Sequence, residues 1–293
     1  MPETGAESTT AEAGEKDRDQ TSPDLRREFV GIMFALAVGE VGLQTAALVQ
    51  AGNPVRYLPA YSHLFLALFV IAASWVGWSR TKVAGARKDV HELFEWAFVV
   101  LLLDTAMVVT YFILVRTVDF SNENCRIDPA ARVAFWHVFI FVLYLAWDGV
   151  TKVGMYPKPA GASWIGGWRQ LDEIRLREQQ QTMKRALPTL VCLVLSIVLW
   201  RLFAAFDPKH EHLLAADLAL LSVVVLFRAL KGIVPGPNQT AANIAWNRRW
   251  VVVLSVTFAI ATFLSVFSIP LPLWQSLQEI RTPIVCGAAS TVP

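Results

Sequence analysis

Phe29 to Gln50 reads FVGIMFALAVGEVGLQTAALVQ, an apolar stretch with one acid, Glu40, near its middle. A run of this length is enough for one helix to cross the ~30 Å hydrocarbon core of a bilayer. An ionisable group at mid-depth costs about 2.5–3.5 kcal/mol on insertion scales, so it turns to the bundle interior and takes a partner, water or an ion. One span carrying such a group therefore calls for others to enclose it. Six further runs follow: Tyr57–Trp78, Leu93–Val115, Val133–Val153, Ala186–Phe206, Leu213–Val234 and Trp250–Leu273. Charged residues make up 17% of the chain, below the ~25% of an average soluble domain. The expected fold is all-α, a polytopic transmembrane helix bundle of seven spans, with the lipid bilayer as its first partner.

The charges between the runs set the orientation. Arg26 and Arg27 precede the first span, and Arg80, Lys82, Arg87 and Lys88 follow the second. Lys158, Arg169, Arg175, Arg177, Lys184 and Arg185 follow the fourth, and Arg248 and Arg249 follow the sixth. The alternate loops hold few basic residues, and Arg116, Arg126 and Arg132 lie there among acids. Basic loops stay in the cytoplasm, which puts the N-terminus inside and the C-terminus outside an inner cell membrane. Residues 1–27 are polar and small and are expected to be a disordered cytoplasmic tail. Residues 28–274 form the membrane domain, and 275–293 an extracytoplasmic tail. Between spans four and five, Trp168 to Arg185 reads either as a helix on the membrane surface or as a polar extension of span five.

Several residues are candidates for chemistry. Glu40 and Asp104 each sit about halfway along spans that run in the same direction, so similar depths are expected at ~1.5 Å rise per residue. Two carboxylates at mid-depth can line the path of a small cation or proton. Arg201 and Asp217 fall near the outer ends of adjacent antiparallel spans and are expected to form a structural ion pair. Asp148 has Lys152 at i+4, a spacing that favours a helix ion pair. His63 and His137 fall in the outer thirds of two spans, where paired histidines can ligate a haem; a hydrogen-bonding or packing role is the commoner use. Cys125 and Cys286 fall on the same outer side, where a disulfide between them can persist, whereas Cys192 lies within span five as a buried thiol. The three cysteines lack metal-ligand spacing, so no metal site is expected.

Other classes fit poorly. The net charge of +2 is too small for a nucleic-acid binder. No Gly-rich phosphate loop, HExxH, CxxC or nucleophile elbow appears, so no enzyme is expected. A retinal Schiff base needs a lysine in the last span, and Trp250–Leu273 has none.

Arg27, Phe29 and Phe34–Ala35–Leu36–Ala37 resemble the first helix of the endolysosomal and bacterial potassium channels that carry an Arg…Phe-Ser-Asp motif. FVIAASWVGWSR, Phe69 to Arg80, is similar to the end of their second helix. Val30 and Gly31 stand where the motif has Ser and Asp, and the likeness covers two spans. The resemblance implies a cation pore lined by the first helix, whose apolar side chains form the constriction. The sequence thus yields a leading expectation of a channel or transporter for a small cation or proton, with a homo-oligomer as its assembly. A non-transporting scaffold, sensor or assembly factor working through the basic loop Gly154–Arg185 is the alternative.

The orientation has a direct test. A reporter fused after Pro293 is expected to be active only on the extracytoplasmic side; activity in the cytoplasm would mean that the spans are miscounted.

Overall fold

A backbone in hydrocarbon has no water to bond with, so each apolar run must close its hydrogen bonds within itself. The computed structural model describes residues 25–50, 57–79, 96–120, 126–153, 168–208, 212–233 and 240–267, without the side chains of 25–27, 96–97, 151–153 and 168–185. The expected N-terminal tail, the Gly154–Arg185 loop surface (except for the backbone of its helical part) and the Cys125–Cys286 disulfide lie outside the described residues. Among the described residues there are seven α-helices: α1 Leu25–Gln50, α2 Leu58–Ser79, α3 Trp96–Val115, α4 Ala130–Val153, α5 Trp168–Phe206, α6 Leu213–Ile233 and α7 Ala241–Phe267. Each is long and apolar enough to span a membrane. The protein is a polytopic, all-α membrane protein.

Two helices differ from the hydropathy boundaries for local reasons. Helix α5 is continuous from Trp168, so the charged segment before Ala186 is the polar extension of span five. At ~1.5 Å per residue its 39 residues extend about 58 Å, well beyond a bilayer core. It ends where Asp207 adopts φ 43° and donates its amide to the Phe203 carbonyl at 3.0 Å. That is a left-handed C-terminal stop, followed by a proline that cannot continue the helix. Helix α7 begins nine residues before the apolar run, at Ala241. Thr240 caps it: its hydroxyl accepts the Asn243 amide at 3.3 Å. Arg248 and Arg249, read as loop, therefore lie within the helix.

Helix α6 is the centre of the bundle and packs against α2, α4, α5 and α7. Its span is 67% buried, against 17% for α7, which presents Val252, Val256, Ile260 and Phe263 outward. Outward apolar side chains of this kind suit lipid, where polar ones are excluded. Helix α1 packs on α2 and α3 through one aromatic joint. Phe34 lies 5.2 Å from Trp75 and 5.8 Å from Tyr111, centroid to centroid. This joint brings the start of α1 beside the end of α2, the antiparallel order that alternating spans require. The end holding the start of α1 and the ends of α2, α4 and α6 is the end that the basic residues assign to the cytoplasm; it is called the inner end below.

At the outer end the link between α3 and α4 is a two-stranded antiparallel hairpin, β1 Val118–Asp119 with β2 Arg126–Ile127. It is pinned to α1 by the Phe120 amide, which donates to Gln44 Oε1 at 3.2 Å.

The α7 cap predicts that Thr240→Ala lowers unfolding free energy in detergent by about 1 kcal/mol while Thr240→Asn lowers it little. Equal losses in both variants would mean that the hydroxyl is not the cap.

Candidate functional site

Many of the polar groups buried among the described residues fall into an outer cluster and an inner one. The outer cluster is built on α2 and α6. Asp217 Oδ2 lies 2.5 Å from His63 Nδ1 and accepts the Ser62 hydroxyl. His63 Nε2 faces the Asp128 carbonyl at 3.3 Å. Both ring nitrogens thus face acceptors, an arrangement that a protonated imidazole satisfies fully. The Asp128 side chain takes Arg126 at 2.7 Å and Arg132 at 3.4 Å. One histidine therefore joins α2, α6 and the segment that leads into α4.

This geometry revises the expected Arg201–Asp217 pair. Asp217 is taken by His63, and Arg201 is exposed, with its guanidinium 4.9 Å from the Trp200 ring centroid. Helix α6 turns Asp217 towards α2 rather than towards its sequence neighbour α5. Arg201 can then snorkel to the membrane surface along an aromatic face. The geometry also leaves His63 no nitrogen for a haem iron. His137 faces a different neighbour, Ser196 of α5, with Nδ1 3.1 Å from the hydroxyl.

Glu40 and Asp104 are not at one depth. Glu40 Oε1 is bound by Arg116 Nε at 2.9 Å and by Gln44 Nε2 at 3.0 Å. Arg116 follows the end of α3, twelve positions beyond Asp104, which is about 18 Å along a helix axis. Asp104 is buried near the inner end, where Trp147 Nε1 donates to it at 2.9 Å. The similar-depth expectation took each acid at the centre of its apolar run; in the bundle the outer end of α3 lies level with the middle of α1. Glu40 is also neutralised by a cation, so the two carboxylates do not share an ion or a proton.

The inner cluster surrounds a partly open cavity of about 190 Å³ between α1, α2, α3, α4 and α6. Its walls are aromatic: Tyr144 stacks on Phe227 with centroids 5.5 Å apart and planes 12° from parallel, and Trp78 and Trp147 complete the lining. Ser74 Oγ bonds the Tyr144 hydroxyl, which lies 3.3 Å from the Tyr111 hydroxyl. Three charged side chains reach the cavity: Asp148, Arg228 and Lys231. Asp148 Oδ2 accepts Thr189 at 2.8 Å and Lys231 Nζ at 3.3 Å. Its partner is thus a lysine on α6; the side chain of Lys152, expected as partner, lies outside the described residues. Arg228 packs against Gly77, where an added Cβ would come within 2.7 Å of both terminal guanidinium nitrogens. Glycine is the residue that lets the guanidinium lie there.

The two clusters are separated by a mainly apolar layer. Eleven positions separate His63 from Ser74, about 16 Å of helix. Ala67, Val70 and Ile71 of α2 and Leu220, Val223 and Val224 of α6 fill that interval and are all buried. Ser222 also lies there, with its hydroxyl satisfied by the Leu218 carbonyl of its own helix at 2.7 Å, as does the buried His137–Ser196 contact between α4 and α5. Among the described residues no group of three His, Cys, Asp or Glu side chains stands ready for a metal. Cys192 is a buried free thiol.

Sequence reasoning missed the inner cluster. Serine and tyrosine inside apolar helices carry little signal, and basic residues such as Arg228 and Lys231 at the inner end of a span look the same as ordinary orientation charges. Gly77 was the available clue, since a glycine in a helix costs stability unless something approaches it closely. Comparison with protein families, with characterised proteins and with solved structures gives no match.

The outer pair has a test in stability. His63→Leu or Asp217→Leu alone should cost about 3–5 kcal/mol by stranding a buried charge, and the double Leu variant should recover most of that loss. Additive losses in the double variant would contradict the pairing.

Proposed function

We propose that this protein is a carrier for a small solute, and that the solute binds in the inner cavity. The observation that supports this is the asymmetry along the bundle axis. A partly open, aromatic-walled cavity with charged groups at the inner end gives way to a mainly apolar layer, and beyond that layer the outer end is tied together by His63, Asp217 and Asp128. A cavity reachable from one side and sealed from the other is one half of an alternating-access cycle, in which helix groups rock about a fixed site near the midplane. Helix α6 links the two ends, because it carries Asp217 at one end and Arg228 and Lys231 at the other.

Passage of a cation or proton through Glu40 and Asp104 has less support. A channel needs polar groups or water along its whole length, and the layer between the clusters is mainly Ala, Val, Ile and Leu, with Ser222 and His137 engaged by the Leu218 carbonyl and the Ser196 hydroxyl. Arg116 beside Glu40 also opposes a cation there. The potassium-channel likeness of the first two helices fits no better, since Phe34 and Trp78 are engaged in packing α1 on α2.

The test has two arms. Phenol, a neutral ring of the cavity's size, is expected to change the tryptophan fluorescence of the purified protein saturably, because Trp78 and Trp147 line the site. Bilayer recordings of the same protein should give no discrete cation conductance steps, and Glu40→Gln should leave phenol binding unchanged. Stepwise conductance that Glu40→Gln abolishes would overturn the carrier reading.

A further inference from the structure

The hydroxyls of Ser74, Tyr111 and Tyr144, which all line the inner cavity, are ordered in one direction. Ser74, Tyr144 and Phe227 lie one helical turn nearer the waist than Trp78, Asp148 and Lys231 on the same three helices, so they form the deep end of the cavity. The Ser74 hydroxyl donates to the Val70 carbonyl of its own helix at 2.6 Å. A carbonyl only accepts and a serine has a single hydroxyl proton, so that proton is committed. At the Ser74–Tyr144 contact the tyrosine is therefore the donor. With the Tyr144 proton committed to Ser74, Tyr111 donates across the 3.3 Å between the two phenolic oxygens. The order runs from Tyr111 to Tyr144 to Ser74 to Val70, and it uses every hydroxyl proton in the chain. What these hydroxyls have left for a guest is oxygen lone pairs. The charged side chains that reach the cavity are engaged already: Lys231 with Asp148 and the Phe227 ring, and Arg228 beside Gly77.

Size and walls set the rest. An apolar protein cavity of about 150 Å³ accommodates one benzene, and drug-sized ligands need about 300–1,000 Å³. At about 190 Å³ the inner cavity takes one ring with a small substituent. The Tyr144–Phe227 stack offers that ring an aromatic surface, for which offset and edge contacts are favourable. We infer that the inner cavity binds a small aromatic solute that carries an O–H or N–H, and that the solute donates this group to the tyrosine oxygens. A ring that carries only an acceptor would set lone pair against lone pair and leave its own polar atom unsatisfied. Ser74 is the positioning residue, because its bond to Val70 anchors the chain and fixes its direction. The inference rests on the carrier reading of the same cavity and adds the class of its solute.

The test uses the full chain in detergent, at a pH where pyridine is neutral, with titration calorimetry as the readout. Pyrrole carries a donor and no acceptor, pyridine carries an acceptor and no donor, and neither is larger than phenol. Pyrrole is expected to bind at least about tenfold more tightly than pyridine, the scale of one neutral hydrogen bond set against an unsatisfied polar atom. Ser74→Ala should bring the two affinities together, chiefly by tightening pyridine. Of the tyrosine protons that remain, the Tyr111–Tyr144 bond uses one, and the other can turn to the guest. The thermal midpoint reports whether this variant folds, and the comparison of pyrrole with pyridine in the unaltered protein needs no variant. Pyridine binding as tightly as pyrrole there, or pyrrole failing to bind where phenol binds, would overturn the donor class and leave the carrier's cavity in place. An unchanged preference in folded Ser74→Ala would overturn the role of the hydroxyl chain in the same way. Failure of phenol, pyrrole and pyridine together would overturn the site and the carrier reading with it.

Discussion

Helix α6 carries charge at both ends and is the most buried span in the bundle, and this combination constrains everything around it. A charge removed from water must be met by an opposite charge with good hydrogen-bond geometry, or it destabilises the fold by several kcal/mol. Asp217 is met by His63 of α2, and Lys231 by Asp148 of α4. The two ties lie fourteen positions apart on α6, about 21 Å along its axis. Together they fix both the register and the rotation of α6 against its neighbours. Between them the contacts are apolar and non-directional, and would tolerate sliding without the ties. Hydrocarbon offers no hydrophobic driving force between helices, so packing and such polar links decide which faces meet.

The number of helices and their class were legible in the sequence because a 30 Å apolar core demands a run of that length. The α7 start was not, because hydropathy discards the arginines that a threonine cap keeps helical. Charge partners were not legible either. Arg201 and Asp217 are close in sequence, and depth alone suggested a pair. Which neighbour a buried acid faces depends on helix rotation, and Asp217 turns to a histidine on α2 that is distant in the chain. Glu40 and Asp104 failed in the same manner. Each was placed at the centre of its own apolar run, but α1 and α3 are offset, so Glu40 meets Arg116 and Asp104 meets Trp147. Ser74, Tyr111 and Tyr144 left no trace in a hydropathy scan, since each is tolerated singly in an apolar helix.

On the proposed carrier reading, what matters is a bundle with two polar ends and a mainly apolar waist. The outer end is closed by the hairpin, Asp128 and the His63–Asp217 pair. The inner end keeps space, aromatic surface and an arginine held beside a glycine. Such a division suits a protein that takes a solute from one side and reaches the other by moving helices, rather than one that holds a path open.

That this waist is closed to water is the claim on which this account depends, and thiol accessibility in sealed vesicles of known sidedness tests it directly. Single cysteines at Ser74, Ala67 and Val223, in a background with Cys125, Cys192 and Cys286 replaced by alanine, are exposed to a membrane-impermeant thiol reagent. The account predicts that the Ser74 position reacts from the inner side, while the Ala67 and Val223 positions in the resting protein react from neither. Rapid labelling of the two waist positions from both sides would reveal a water-filled path through the bundle and contradict it.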